Sequence, residues 1–381
     1  MRVEIQRDVL LWAIERTQRS VEQLATVPDF ARIQEWVSGE SQPTFTQAKK
    51  LAARARIPFG YLLLDEPVDN SPKLVDFRTV NSEERITFSP DLEGVIKICQ
   101  SRLSWYAEMA GELDEEPSGL VGSFRKSDDS KTAARKILEN LDWRPGREVK
   151  GRERVLDLAD AIQAAGILVM RSSVVGSSTA RKLRKEEFRG FSLIQAGFAL
   201  IFVNGDDFKV GQLFSLAHEL GHILLGSPGV SGERNNHREI ERWCNSFASE
   251  LIFPSESAVQ ILEQAMSLED ASQSAYKEFG VSSEVFAWTL VDCGRLSRGT
   301  AEEFLRNRDK YDHSAKSSGR GNYFNNLASQ YGYRFADAVT GALAEGIIST
   351  SEGSRQLGIK KTSTLNKVVE HFQGVGIVGA A

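Results

Sequence analysis

Cysteine is scarce in this chain of 381 residues, with only Cys99, Cys244 and Cys293, all far apart in sequence. Without a CxxC pair there is neither a structural zinc ribbon nor a disulfide framework, and a reducing compartment is the simplest reading. An excess of positive charge is also lacking. The formal net charge is -5 and the pI near 5.8, so the protein is not coated in cations for non-specific nucleic-acid binding, although a local basic patch remains open. No apolar run approaches the roughly 18 residues that span a bilayer. The first residues mix Glu4 and Asp8 with Arg2 and Arg7, unlike an export signal. The expectation is a cytoplasmic protein with no membrane partner. Internal repeats and low-complexity tracts are absent too.

What is present is an ordinary globular composition, 41% hydrophobic and 26% charged, long enough for two or three compact units. Apolar positions from Leu10 to Leu62 follow helical spacing and predict a small helical module over residues 1–66. A second domain is expected over 67–299. It opens with helices over Ser89–Glu112, Ser130–Leu141 and Glu153–Ala165. The period then changes: GILVMRSSVV, FRGFSL and FALIFVN carry β-branched and aromatic residues between glycines, as strands do. FALIFVN reads either as a sheet edge able to pair with an extended substrate or as an ordinary core strand. A helix VGQLFSLAHELGHILLG, a polar loop and a helix HREIERWCNSFASELI follow, then further helices to Arg298. A C-terminal helical unit is expected over 300–381. The fold class is α+β.

Histidine is rarer still than glycine or proline, five residues in all, yet His218 and His222 stand four apart on one predicted helix. Positions i and i+4 share a helix face, so the two imidazoles are placed for one metal ion. Glu219 projects beside that pair, where it can serve a water as general base without ligating. With so few histidines, chance produces this pattern about 1% of the time. A helix with solvated histidines fits poorly beside Leu216, Ala217, Leu220, Ile223 and Leu224. A catalytic zinc takes three protein ligands and keeps one open position. The third ligand must come from elsewhere, with Glu241 and His237 of the next predicted helix as rivals. Two imidazoles and a carboxylate suit zinc best among common ions. His237 is also a candidate donor to an oxyanion.

FSLAHELGHILLG followed by EIERWCNSFASELIFP resembles the ImmA/IrrE family of metallo-endopeptidases. The resemblance implies a zincin-like core with a small sheet and an HExxH helix, and it implies Glu241, before Cys244 and Asn245, as third zinc ligand. The opening VLLWAIERTQRSVEQL, with QPTFTQAKKLA, IPFGYLLLDEP and LVDFRT, is similar to the N-terminal part of longer members, an XRE-like helix-turn-helix. By analogy the substrate is a protein, a co-encoded XRE-type repressor, whose cleavage relieves repression of mobile-element or stress genes.

DNA is a second partner to weigh. The expected recognition helix, PDFARIQEWVSGE, offers Arg32 and Gln34 as contacts, while Asp29, Glu35 and Glu40 would oppose phosphate. Arg355, Lys360, Lys361 and Lys367, around a turn near the C-terminus, are another candidate set, against the plainer reading of a solvated face. Arg78 and Arg189 are read as structural ion-pair partners ahead of substrate contacts. Two alternative functions remain: a DNA-binding regulator with a structural or sensory metal, and a toxin or defence effector using the same site.

Overall fold

The computed structural model describes residues 1–68, 88–146, 153–231, 238–308 and 323–373. The chain divides into two compact units: Met1–Lys73 with Asn81–Lys97, and Leu74–Val80 with Ile98–Ala381.

The first unit is helical: α1 (Arg7–Arg16), α2 (Val21–Ala25), α3 (Ile33–Ser38) and α4 (Phe45–Ala55), with 3-10 turns at Pro28–Phe30 and Phe59–Leu63. Short helices of this kind gain little from propensity and form because one apolar stripe is buried. Val9, Leu10, Ala13, Leu24, Ile33, Trp36, Leu51 and Leu62 supply that core. Ser20 with Gln23 and Thr44 with Gln47 form reciprocal capping boxes that start α2 and α4, satisfying amide donors the helices leave open.

The second unit takes in the end of α5 (Pro90–Met109), then α6 (Ser130–Asn140) and α7 (Arg154–Ala164). Among the described residues six strands follow or intervene: β1 (Leu168–Ser172), β2 (Val174–Val175), β3 (Ser178–Lys182), β4 (Gly190–Gln195), β5 (Phe198–Asn204) and, between α8 (Lys209–Leu224) and α9 (Arg238–Ile252), β6 (Val230–Ser231). The main sheet has the order β1-β5-β4-β6, parallel between β1 and β5 and antiparallel elsewhere. β5 is therefore internal, every residue buried. Of the two readings of FALIFVN, this is the core strand and not the edge: β1 and β4 cover both its sides, and α8 packs against it. β4 lies between β5 and the two-residue β6, which pairs with it at Gly190 and Phe191. β2 and β3 form a separate hairpin.

Helices continue as α10 (Ser255–Gln264), α11 (Leu268–Phe279), α12 (Ser283–Asp292), α13 (Arg298–Arg308), α14 (Tyr323–Tyr331), α15 (Tyr333–Ala344), α16 (Thr350–Gln356) and α17 (Thr362–Gln373). Polar clamps fasten α14 and α15 to the sheet side. Arg171 on β1 donates to Ser329, Glu153 and Gln212, and Arg334 donates to Tyr106, the Gln163 carbonyl and Glu115. No helix among the described residues is long and apolar enough to cross a membrane.

Candidate metal centre

α8 is buried almost all round. Leu213, Leu216, Ala217, Leu220, Ile223 and Leu224 belong to the core, and the same helix buries His218 at 5% exposure, Glu219 at 0% and His222 at 3%. A buried polar group without compensation costs on the order of 1–3 kcal/mol. Three ionisable side chains within five residues of a core helix therefore need a common purpose.

α9 packs across α8 and brings Glu241 to the two imidazoles. Nε2 of His218 lies 3.2 Å from Nε2 of His222, and the Glu241 carboxylate stands 3.2 Å from His218 and 3.4 Å from His222. The approach depends on small residues where the helices meet. A Cβ on Gly221 would lie 3.2 Å from Sγ and 3.3 Å from Cα of Cys244. Glycine inside a helix costs about 1 kcal/mol relative to alanine, and here it permits the contact. Glu241 sits three residues before Cys244, so the same crossing carries its carboxylate over the α8 histidines.

The ring orientation of His222 is also fixed. Its Nδ1 is 3.0 Å from the Ser227 carbonyl, which can only accept, so Nδ1 carries a proton and Nε2 is the atom that faces Glu241 and His218, with a lone pair to offer an ion once its own proton is shed. For the carboxyl of Glu241, burial alone would raise the pKa, but hydrogen bonds and charge from His218 and His222 hold it well below the carboxylate range. Burial opposes a charge on His222. Hydrogen bonds with Cys244 and Glu241, and the field of Glu219, nonetheless raise its pKa well above the usual imidazole value. Burial pushes the Cys244 thiol up, which leaves it a neutral packing residue.

These three groups form a possible metal-holding set, their ligand atoms all within 4.8 Å of one another. A tetrahedral ion with bonds of about 2.0–2.1 Å needs ligand atoms about 3.3 Å apart, close to the 3.2 and 3.4 Å separations observed. The donor set fits a borderline-soft divalent cation. Glu219 is outside this trio and faces the sheet: a Cβ on Gly190 of β4 would be 3.1 Å from its Cγ and Oε1. Glycine at that strand position makes room for the carboxylate.

Residues 162–290 match the IrrE N-terminal-like domain, the Peptidase M78 family. No curated protein and no solved structure matches the chain. The IrrE-like segment begins in α7 and ends in α12, so it contains the main sheet, α8 and α9, while the first unit and α13–α17 lie outside it. It supports a metallopeptidase of the ImmA/IrrE type.

Among the other residues singled out in the sequence, His237 and Arg78 lie outside the described residues. Arg189 is exposed beside β4. In the first unit Gln34 is exposed, and Arg32, just before α3, pairs with Glu35. Sequence reasoning missed Ser227, whose backbone carbonyl orients His222, and the spacing roles of Gly190 and Gly221. A glycine inside HELGH was the one available signal for the last.

Proposed function

We propose that the chain is a zinc-dependent endopeptidase in which His218, His222 and Glu241 hold the ion and Glu219 is the general base. The observation that carries this reading is the 3.2–3.4 Å spacing of three buried ligand atoms from two helices. Zinc bound there supplies Lewis acidity toward a water and a peptide carbonyl. The chain's own residues do the rest. The Ser227 carbonyl holds the His222 tautomer, and Gly221 against Cys244 keeps the two helices in register. Glu219, excluded from bulk water, accepts the proton of the attacking water on its carboxylate and returns it to the leaving amine. His237 is proposed as a donor to the oxyanion.

The substrate we propose is a protein, a co-encoded XRE-type repressor, and the first unit is an XRE-like helix-turn-helix module. Its exposed Phe45, Leu63 and Leu64 favour protein recognition, while Arg32 and Gln34 remain its candidate DNA contacts. The pairing of Arg32 with Glu35 and of Lys50 with Asp29 sets a carboxylate against each of these two cations, which weakens them as phosphate contacts. Metal analysis of purified protein and cleavage of the neighbouring repressor test the reading. Glu219→Gln is expected to keep one zinc per chain and to lose 10²–10⁴-fold or more in turnover. A variant that cleaves at the wild-type rate removes Glu219 from the mechanism, and a wild type without metal removes the whole proposal.

A further inference from the structure

Near the C-terminus, α16 and α17 are joined by a short turn, and their charges are arranged unlike those of α3. From Gly353 to Val369 there are four basic residues, Arg355, Lys360, Lys361 and Lys367, and no acidic one, in a chain that is acidic overall. Arg355 pairs with Glu352 at 2.8 Å. Lys360, Lys361 and Lys367 are exposed and form no ion pair among the described residues. Exposed Thr362 and Ser363 stand beside them at the start of α17.

Packing fixes which side of α17 is presented. Leu365, Val368 and Val369 are fully buried, and α17 packs on α15. Its apolar side is thus consumed, which leaves no apolar face to enter a lipid surface. The turn is rigidly seated. Gly358 adopts φ +59°, and a Cβ there would lie 2.9 Å from the Tyr331 hydroxyl and 3.3 Å from Oγ of Ser177. Ser177 is at the tip of the β2–β3 hairpin, whose Gly176 carbonyl accepts a hydrogen bond from Gln330 at 2.6 Å. That hairpin ends in exposed Lys182. The result is a short helix, a left-handed glycine turn, a twelve-residue second helix led by free lysines and small hydroxyl side chains, and a two-stranded hairpin alongside.

We infer that α16, the turn at Gly358 and the start of α17 form a duplex-DNA contact surface, with Lys360, Lys361 and Lys367 on the phosphate backbone. An α-helix fits the major groove, and in such a pair the N-terminal residues of the second helix meet the base edges. Phosphate contacts supply most of the affinity, and here they come from three exposed lysines, the flanking carboxylates being Glu352, which is taken up by Arg355, and Glu370, three residues beyond Lys367. The inference goes beyond the proposed peptidase and does not depend on it: Glu219→Gln is expected to bind DNA as the wild type does.

The test is fluorescence anisotropy of the full-length protein against a labelled duplex of arbitrary sequence, roughly two helical turns or 21 base pairs long, from about 50 to 200 mM salt. Wild type is expected to bind with a Kd on the order of 10⁻⁴–10⁻⁶ M and a log–log salt slope of about -2.7 for three phosphates. The triple variant Lys360→Ala, Lys361→Ala, Lys367→Ala changes only exposed positions. It should melt with the wild type, bind at least ten times more weakly at low salt and lose most of that slope. The double variant Arg32→Ala, Gln34→Ala should bind unchanged. Absence of salt-dependent binding by the wild type overturns the inference. So does undiminished binding by the triple variant, a loss that follows Arg32 and Gln34 instead, or stronger binding to phosphatidylserine vesicles than to the duplex.

Discussion

α3 in the first unit and α8 in the second treat their polar residues in opposite ways. Arg32 and Glu35 face solvent and satisfy each other, and Gln34 is exposed. His218, Glu219 and His222 are removed from water, where each needs a partner or a ligand to offset its lost hydration. Exposed polar residues are compatible with many functions because they cost nothing to keep. Buried ones constrain the reading, and so α8 carries far more of the functional argument than the helix expected to read DNA.

The sharpest way to break the contrast is at the helix crossing. Gly221→Leu adds a good helix former, worth about 1 kcal/mol in propensity, yet places its side chain against Cys244. Overpacking costs about 1–3 kcal/mol or more, so a net loss of stability is expected despite the better propensity. Forcing α9 away would also carry Glu241 off the imidazoles, and zinc content should fall with it. Calorimetry and metal analysis read both. A variant that is stabilised and retains full zinc would show that the close approach of α8 and α9 is not what builds the site.

Metal and protons compete for the same atoms, which gives the next effect. His222 has a folded pKa above its unfolded value of 6.5, so in the metal-free protein its contribution is complete below pH 6.5 and is lost as pH rises through the folded value. Glu241 has a folded pKa below 4.5, so its contribution is complete above that pH and is lost as pH falls through the folded value. The metal-free pair of His222 and Glu241 is thus most stabilising between pH 4.5 and 6.5. Zinc requires the imidazole of His222 to shed its extra proton. The stabilisation by zinc, about 2.7 kcal/mol at a hundredfold excess over Kd, should therefore grow as pH rises above 6.5. Thermal shifts with and without zinc across that range measure it, and a gain that shrinks with rising pH contradicts the ligand assignment.

The sequence made the local parts of this architecture legible. The i, i+4 histidines, the flanking apolar residues of α8 and the all-apolar β5 are properties of contiguous residues, and period alone reveals them. What it left open were matters of pairing in space. FALIFVN could be read as edge or centre, because strand order depends on segments far apart in the chain. β3, with its polar STARK, and the two-residue β6 have no apolar alternation to betray them. That Glu241 stands over the imidazoles depends on where α9 crosses α8, a crossing at which Gly221 lies against Cys244. The Ser227 carbonyl was invisible in principle, since any residue type supplies one.

The smallest expected effect lies at the other pole of the comparison. Hydrogen bonding to Arg32, followed by its charge, lowers the pKa of Glu35, so the pair helps the folded state above the ordinary carboxyl range and fades as pH falls. Both groups face water, however, and water and salt screen such pairs until they contribute little. Arg32→Ala should melt with the wild type within error at neutral pH, and it should leave zinc content and proteolysis unchanged. If it instead unfolds the first unit or abolishes cleavage, then an exposed pair on α3 is as constrained as the buried trio on α8. The first unit would then hold substrate through that very face.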